Sequence, residues 1–245
     1  VKDLEPFESR DFAVFEEAYQ KNADYDAHRL RVRRRLGAIA EAARVRLGEH
    51  GLPLERRDSL HRPFSFNRGR VVAQWVYLIR DAKVRRAFRA VAGAEVGADL
   101  DPAFQNAHLC VAVDEGGVKV ALRVHKEAWV DAQNWKNRLS DAAGRDGFRL
   151  LLNVVPEGFG LRIHDWKKVY PCGRVGRDDV EEFVRYFVPG EHGARVFRTI
   201  PRSDPKATAA DLPARLADDL VALAPLYQFV AWSPENDRLR LRTGG

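Results

Sequence analysis

The sequence predicts an α+β fold: an N-terminal helical pair followed by an antiparallel sheet built from hairpins, with helices packed on one face. Three observations carry this. A long amphipathic run covers residues 25–50, a Gly-Gly turn joins two β-rich segments over 108–124, and a second turn-centred segment over 149–166 follows an intervening helix. The 245 residues are 45% hydrophobic and 31% charged, enough to bury a substantial core. They divide into an N-terminal helical region (1–55), an α+β core (56–200) and a C-terminal helix and tail packing on that core (201–245), together one compact domain.

Ser9 or Asp11 can cap a first helix reaching about Lys21. The second helix places Leu30, Ile39 and Leu47 among its apolar positions, and the sequence Gly51-Leu52-Pro53 ends it. Its polar positions include Arg29, Arg31, Arg33, Arg34, Arg35, Arg44 and Arg46, spread around the axis because successive residues turn by about 100°. Pro63 to Gly69 reads as a loop. Val71–Ile79 is rich in β-branched and aromatic residues and reads as a buried strand. Asp81 is placed to cap a helix ending near Ala92, with Val84, Phe88 and Val91 inward and Lys83, Arg86 and Arg89 outward. Gly93 to Pro102 is expected to be a connection.

His108–Val124 forms a hairpin around Asp114-Glu115-Gly116-Gly117, where glycine can take positive φ. A helix over Lys126–Ala143 turns Ala128, Ala132, Trp135, Leu139 and Ala142 toward the core. Arg149–Trp166 is expected to be a second hairpin about Pro156-Glu157-Gly158. Asp178 opens a short helix to Phe187, and residues 194–200 read as a strand. Residues 201–213 are an exposed linker before a last helix reaching about Ala224.

The composition bounds function as well as fold. Forty-one basic residues against 35 acidic ones give a formal charge of +6, a lean toward polyanionic partners. Only nine of the 41 are lysine, leaving 32 arginines. Such a bias can be compositional, so clustering counts for more than abundance. Cys110 and Cys172 stand far apart without a Cys-x-x-Cys pattern, so neither a disulfide framework nor a zinc site is indicated, and a reducing cytoplasm is expected. The longest apolar stretch, Val221–Trp232, is interrupted by Pro225 and Gln228 and is too short for a membrane span. A soluble intracellular protein with no membrane partner is expected.

No phosphate-cradling glycine loop, His-Glu-x-x-His pair or Gly-x-Ser-x-Gly elbow occurs. No metal or cofactor is expected. Three weaker constellations remain. His125, Glu127 and Asp131 stand where a strand passes into a helix, and the two carboxylates, four residues apart, could share a face with the imidazole as a hydrolytic or transfer site. His164 and Asp165 adjoin, yet neighbouring strand residues point to opposite faces. Asp114, Glu115 and Lys119 resemble a nuclease set, but Glu115 and Lys119 straddle a turn.

The strongest signal is the basic, aromatic segment Arg56–Arg89. Arg68, Arg70, Arg80, Lys83, Arg86 and Arg89 could each neutralise a phosphate, and His61, Phe64 or Phe66 could stack on a base. Nucleic acid or another polyanion is therefore the leading expected partner. Leu226–Trp232 is a candidate docking surface for a protein, as in a subunit of a larger assembly.

The stretch Asn22–Ala43, the pair Arg80-Asp81 and the hairpin followed by a Trp-bearing helix resemble a widespread family of uncharacterised bacterial proteins. Members have a helical N-terminus, an Arg-Asp-x-Arg-Phe motif and an α+β body. Here Ala82, Lys83 and Val84 follow Asp81 where that motif has other residues. The resemblance implies a fold and no particular chemistry.

Overall fold

In the computed structural model, which describes residues 4–63, 67–164 and 166–240, seven strands form one antiparallel sheet in the order β1-β2-β3-β4-β7-β5-β6. The strands are β1 (Leu54–Asp58), β2 (Ala73–Arg80), β3 (His108–Asp114), β4 (Gly117–Val124), β5 (Gly160–Ile163), β6 (Tyr170–Pro171) and β7 (Ala194–Pro201). The α+β class and the helices ahead of the sheet stand as expected.

The N-terminal pair is unequal. Helix α1 covers only Ser9–Ala13, with Glu8 at its cap and the Asp11 carboxylate accepting from the Glu8 amide. Helix α2 runs over Asp26–Glu49 and buries Val32, Leu36, Ile39, Ala40, Ala43 and Leu47, spaced at three and four residues. Arg29 belongs to this buried stripe rather than to a polar face. Its guanidinium donates to the carbonyls of Tyr19 and Asn22 and to Asp26, which satisfies the charge inside the fold.

Helix α3 (Ala82–Ala92) begins where Asp81 caps the Val84 amide at 2.9 Å. The expected connection after it contains a further short helix, α4 (Ala94–Ala98). The β3–β4 hairpin closes as expected, with Gly117 at φ 137°; a Cβ there would also collide with the carbonyl oxygen of Ile200 on β7. Gly116 does not need the left-handed region.

The second hairpin is not formed. Residues 149–154 belong to helix α6 (Ala142–Val154), capped by Asp141 through the Gly144 amide at 2.7 Å. The run Leu150-Leu151-Leu152 suits either structure by content, but Phe148, Leu152 and Val155 are buried at helical spacing. Strand β5 pairs instead with β7 and β6. The preceding helix is also shorter than expected: α5 spans Trp129–Arg138 and begins beyond Glu127. Helix α7 (Arg177–Tyr186), strand β7 and helix α8 (Leu212–Ala222) match their expected places within a few residues. The segment before α8 includes a 3-10 turn at Pro205–Thr208 that buries Ala207, so it is not a wholly exposed linker.

One face of the sheet carries the main core. Val76, Leu78, Val111, Val120 and Val196 join Leu36 of α2 and Leu216 of α8 in a single apolar cluster. All three expected regions of the chain therefore contribute to one core. Helix α9 (Ala224–Val230) and the following Ala231 and Trp232 are part of the interior: Leu226, Tyr227, Phe229 and Val230 are buried and Trp232 is 2% exposed. This stretch is not a docking surface. Its apolar side chains are consumed by packing, with Trp232 set edge-on to Phe88 at 4.9 Å. No helix among the described residues is long and apolar enough to cross a membrane.

Candidate nucleic-acid interface

Strand alternation gives the sheet a second face, built from the residues between the core positions. On β2 these are Trp75, Tyr77 and Ile79, and on β3 Cys110 and Ala112, which form a small cluster separate from the main core. Among the described residues the only apolar group from outside the sheet in that cluster is Ala103. On β4 the same face carries Lys119, Ala121 and Arg123, on β7 Arg195, Phe197 and Thr199, and on β5 Arg162.

The register arranges these side chains in rows across the strands. In one row Trp75 lies opposite Ala112, Ala112 opposite Lys119 and Lys119 opposite Thr199. In the next, Tyr77, Cys110, Ala121 and Phe197 follow one another. In the third, His108 faces Arg123, Arg123 faces Arg195 and Arg195 faces Arg162. Three arginines thus stand on adjacent strands about 4.8 Å apart.

Rings and guanidinium groups reinforce each other here. Trp75 stacks on Tyr77 with centroids 3.9 Å apart and planes 15° from parallel, and Tyr77 stacks on His108 at 3.9 Å. The guanidinium carbons of Arg195 and Arg162 lie 4.8 and 5.7 Å from the Phe197 centroid. Arg123 and Arg162 make no ion pair with a carboxylate among the described residues. Several other arginines have carboxylate partners: Arg33 and Arg56 reach Asp58, Arg35 reaches Glu5, Glu8 and Asp11, and Arg198 on the core face of β7 reaches Asp219.

The floor of the face is uncharged. Burial pushes the Cys110 thiol up to about 11 and the Tyr77 hydroxyl up to about 12, so both stay protonated at neutral pH. Burial also pulls the His108 imidazole down to about 3, leaving it neutral, with Nδ1 within 2.8 Å of the Asn106 carbonyl oxygen. The positive charge therefore comes from the arginines and Lys119, whose ammonium pairs with Asp114 at the rim.

The cations singled out in the sequence are not brought together. Arg68 and Arg70 are exposed just before β2, whereas Lys83, Arg86 and Arg89 are exposed on α3 beyond its far end. The eight residues of β2 separate the two groups by about 26 Å. Arg80 is only 2% exposed, and its guanidinium binds Asp131 and the Trp232 carbonyl. It is not offered to a phosphate. Arg89 pairs with Asp101 at 3.0 Å. Phe64 and Phe66 lie outside the described residues, and His61 lies 3.3 Å from Arg33 of α2.

The catalytic candidates separate likewise. Asp131 is fully buried, while Glu127 is exposed ahead of α5, so the two carboxylates do not share a face. His125 accepts from the Glu127 amide at 3.3 Å and meets Phe104 edge-on. Burial lowers its imidazole, partly offset by Glu127. Asp114 and Glu115 lie at the β3–β4 turn, and Asp165 is outside the described residues. No group of three or more metal-ligating side chains converges among the described residues.

Trp75, Tyr77, Arg123, Arg162, Arg195 and Phe197 are not among the sequence candidates, because Val71–Ile79 reads as a buried strand and the other four residues lie on β4, β5 and β7. The missing signal was the alternation itself: Trp75-x-Tyr77 and Arg195-x-Phe197-x-Thr199 describe a second face. The chain matches no known family model, and no curated protein matches it.

Proposed function

We propose that this chain binds nucleic acid or another polyanion on the open face of its sheet. The supporting observation is the row Arg123–Arg195–Arg162, set beside an aromatic stack and facing away from the core. A polyanion laid across these cations would release its own counterions. Among the described residues, no carboxylate forms an ion pair with Arg123 or Arg162. The cations of α3 and of the loop before β2 then act as peripheral attraction rather than as the contact itself.

Fluorescence anisotropy with a labelled oligonucleotide and with labelled heparin, across several salt concentrations, tests this reading. The Arg123→Gln/Arg162→Gln variant is expected to bind more weakly and to lower the slope of log affinity against log salt by about 1.4 for a single strand, near 0.7 per lost phosphate contact. A Lys83→Gln/Arg86→Gln variant is expected to change that slope less. An unchanged slope in the Arg123/Arg162 variant rules out this face as the contact.

A further inference from the structure

Resting on that reading, we infer that the open face is built for single-stranded nucleic acid, with one base stacked on Trp75 and another seated against Phe197. A bare polyanion needs only the cations. The rings add an organisation that charge alone does not require.

Among the described residues, the stack Trp75–Tyr77–His108 is closed at one end only. His108 is 2% exposed and held by the Asn106 carbonyl, whereas Trp75 is half-buried and abuts no further ring among the described residues. A base placed on Trp75 would extend the stack by one member. The adjoining positions in its row, Ala112 and Lys119, are a small side chain and a cation. Base and phosphate are thus met side by side.

Phe197 offers the second position. It stands three strands away from Tyr77, about 14 Å, and the two intervening positions, Cys110 and Ala121, are small. A depression of about 610 Å³ opens beside Phe197, lined by Gly158, Gly160, Gly173, Arg174 and Thr199. That volume lies in the range of small-molecule sites and exceeds a single nucleobase. A Cβ on Gly160 would collide with the Val169 side chain of the neighbouring segment. Arg195 and Arg162 flank the same ring, where a backbone leaving the seated base would pass.

A duplex fits this arrangement poorly, because its bases are stacked on each other and its grooves present edges rather than faces. Stacking platforms on an open sheet are accordingly a device for unpaired strands, tolerant of sequence because every base has a π-face.

The experiment compares four probes at one salt concentration: an oligothymidylate of ~10 nucleotides, an abasic sugar-phosphate strand of equal length, a duplex of equal length and heparin. The oligothymidylate is expected to bind most tightly and to quench tryptophan fluorescence. Trp75→Leu should weaken it about tenfold and remove most of the quench while leaving the salt slope unchanged. Phe197→Leu, which keeps Trp75, should weaken binding by a similar factor with the quench retained. Equal affinity for the abasic strand or heparin, with no quench, overturns the single-strand inference and leaves polyanion binding standing. Absence of binding to all four probes overturns both.

Discussion

Asp131 shows how a single carboxylate can organise distant parts of the chain. It accepts from the Arg80 guanidinium at the end of β2, from the Ala107 amide ahead of β3 and from the Trp232 amide at 2.8 Å. Both members of the ion pair are essentially without solvent contact, at 2% and 0% side-chain exposure. Asp131→Ala would leave a buried guanidinium uncompensated, and chemical denaturation is expected to show a loss of about 3–5 kcal/mol. His108 gives a pH-dependent counterpart. Its folded value near 3 lies below the ordinary 6.5, so the unfolded chain takes up a proton that the folded chain refuses. Its contribution to stability is complete above pH 6.5 and is lost as pH falls toward 3, with a slope approaching 1.4 kcal/mol per pH unit. Urea midpoints from pH 7.5 to 5 should decline more steeply in the wild type than in His108→Gln. These residues show what a sequence conceals: Arg80, Arg29 and Asp131 are charged types that normally sit outside. Their burial depends on partners up to 152 residues away, which local spacing does not reveal.

Elements were legible where a local signal is strong. Asp81 caps α3 and the Gly116-Gly117 turn closes the β3–β4 hairpin, because capping and turn formation are decided within a few residues. Segment 149–155 suits a strand by sequence because a short apolar run lacks a decisive period, and the signal for a helix, the cap at Asp141, lies eight residues earlier. Asp141→Ala should therefore lower stability by about 1 kcal/mol, with hydrogen exchange rising first in the opening turn of α6. Strand β5 pairs with β7 as well as with its sequence neighbour β6, and the pairing with β7 is one that only tertiary packing specifies. At the sheet's margins, β1 bears Glu55, Arg56, Arg57 and Asp58 and β6 is two residues long, so neither edge invites strand addition.

Across the whole molecule, charge is sorted by surface. The helical side holds its arginines in local pairs, such as Arg46 with Asp218 between α2 and α8 and Arg35 with the acids around α1. The second face of the sheet carries Arg123, Arg195 and Arg162 in a row beside stacked rings. Net charge in the sequence indicated a polyanion partner but not a location. The proposed location rests on strand register across β2, β3, β4, β7 and β5, which sets residues 75 and 197 on one face of the sheet, a relation that no window along the chain could show. Photochemical cross-linking of a thymine-containing single strand, followed by mass spectrometry of the digested protein, tests that location directly. Cross-links on peptides containing Trp75, Tyr77 and Phe197, lost in excess unlabelled strand, are the expected result. Cross-links confined to peptides bearing Arg68 and Arg70 or Lys83, Arg86 and Arg89 would contradict it.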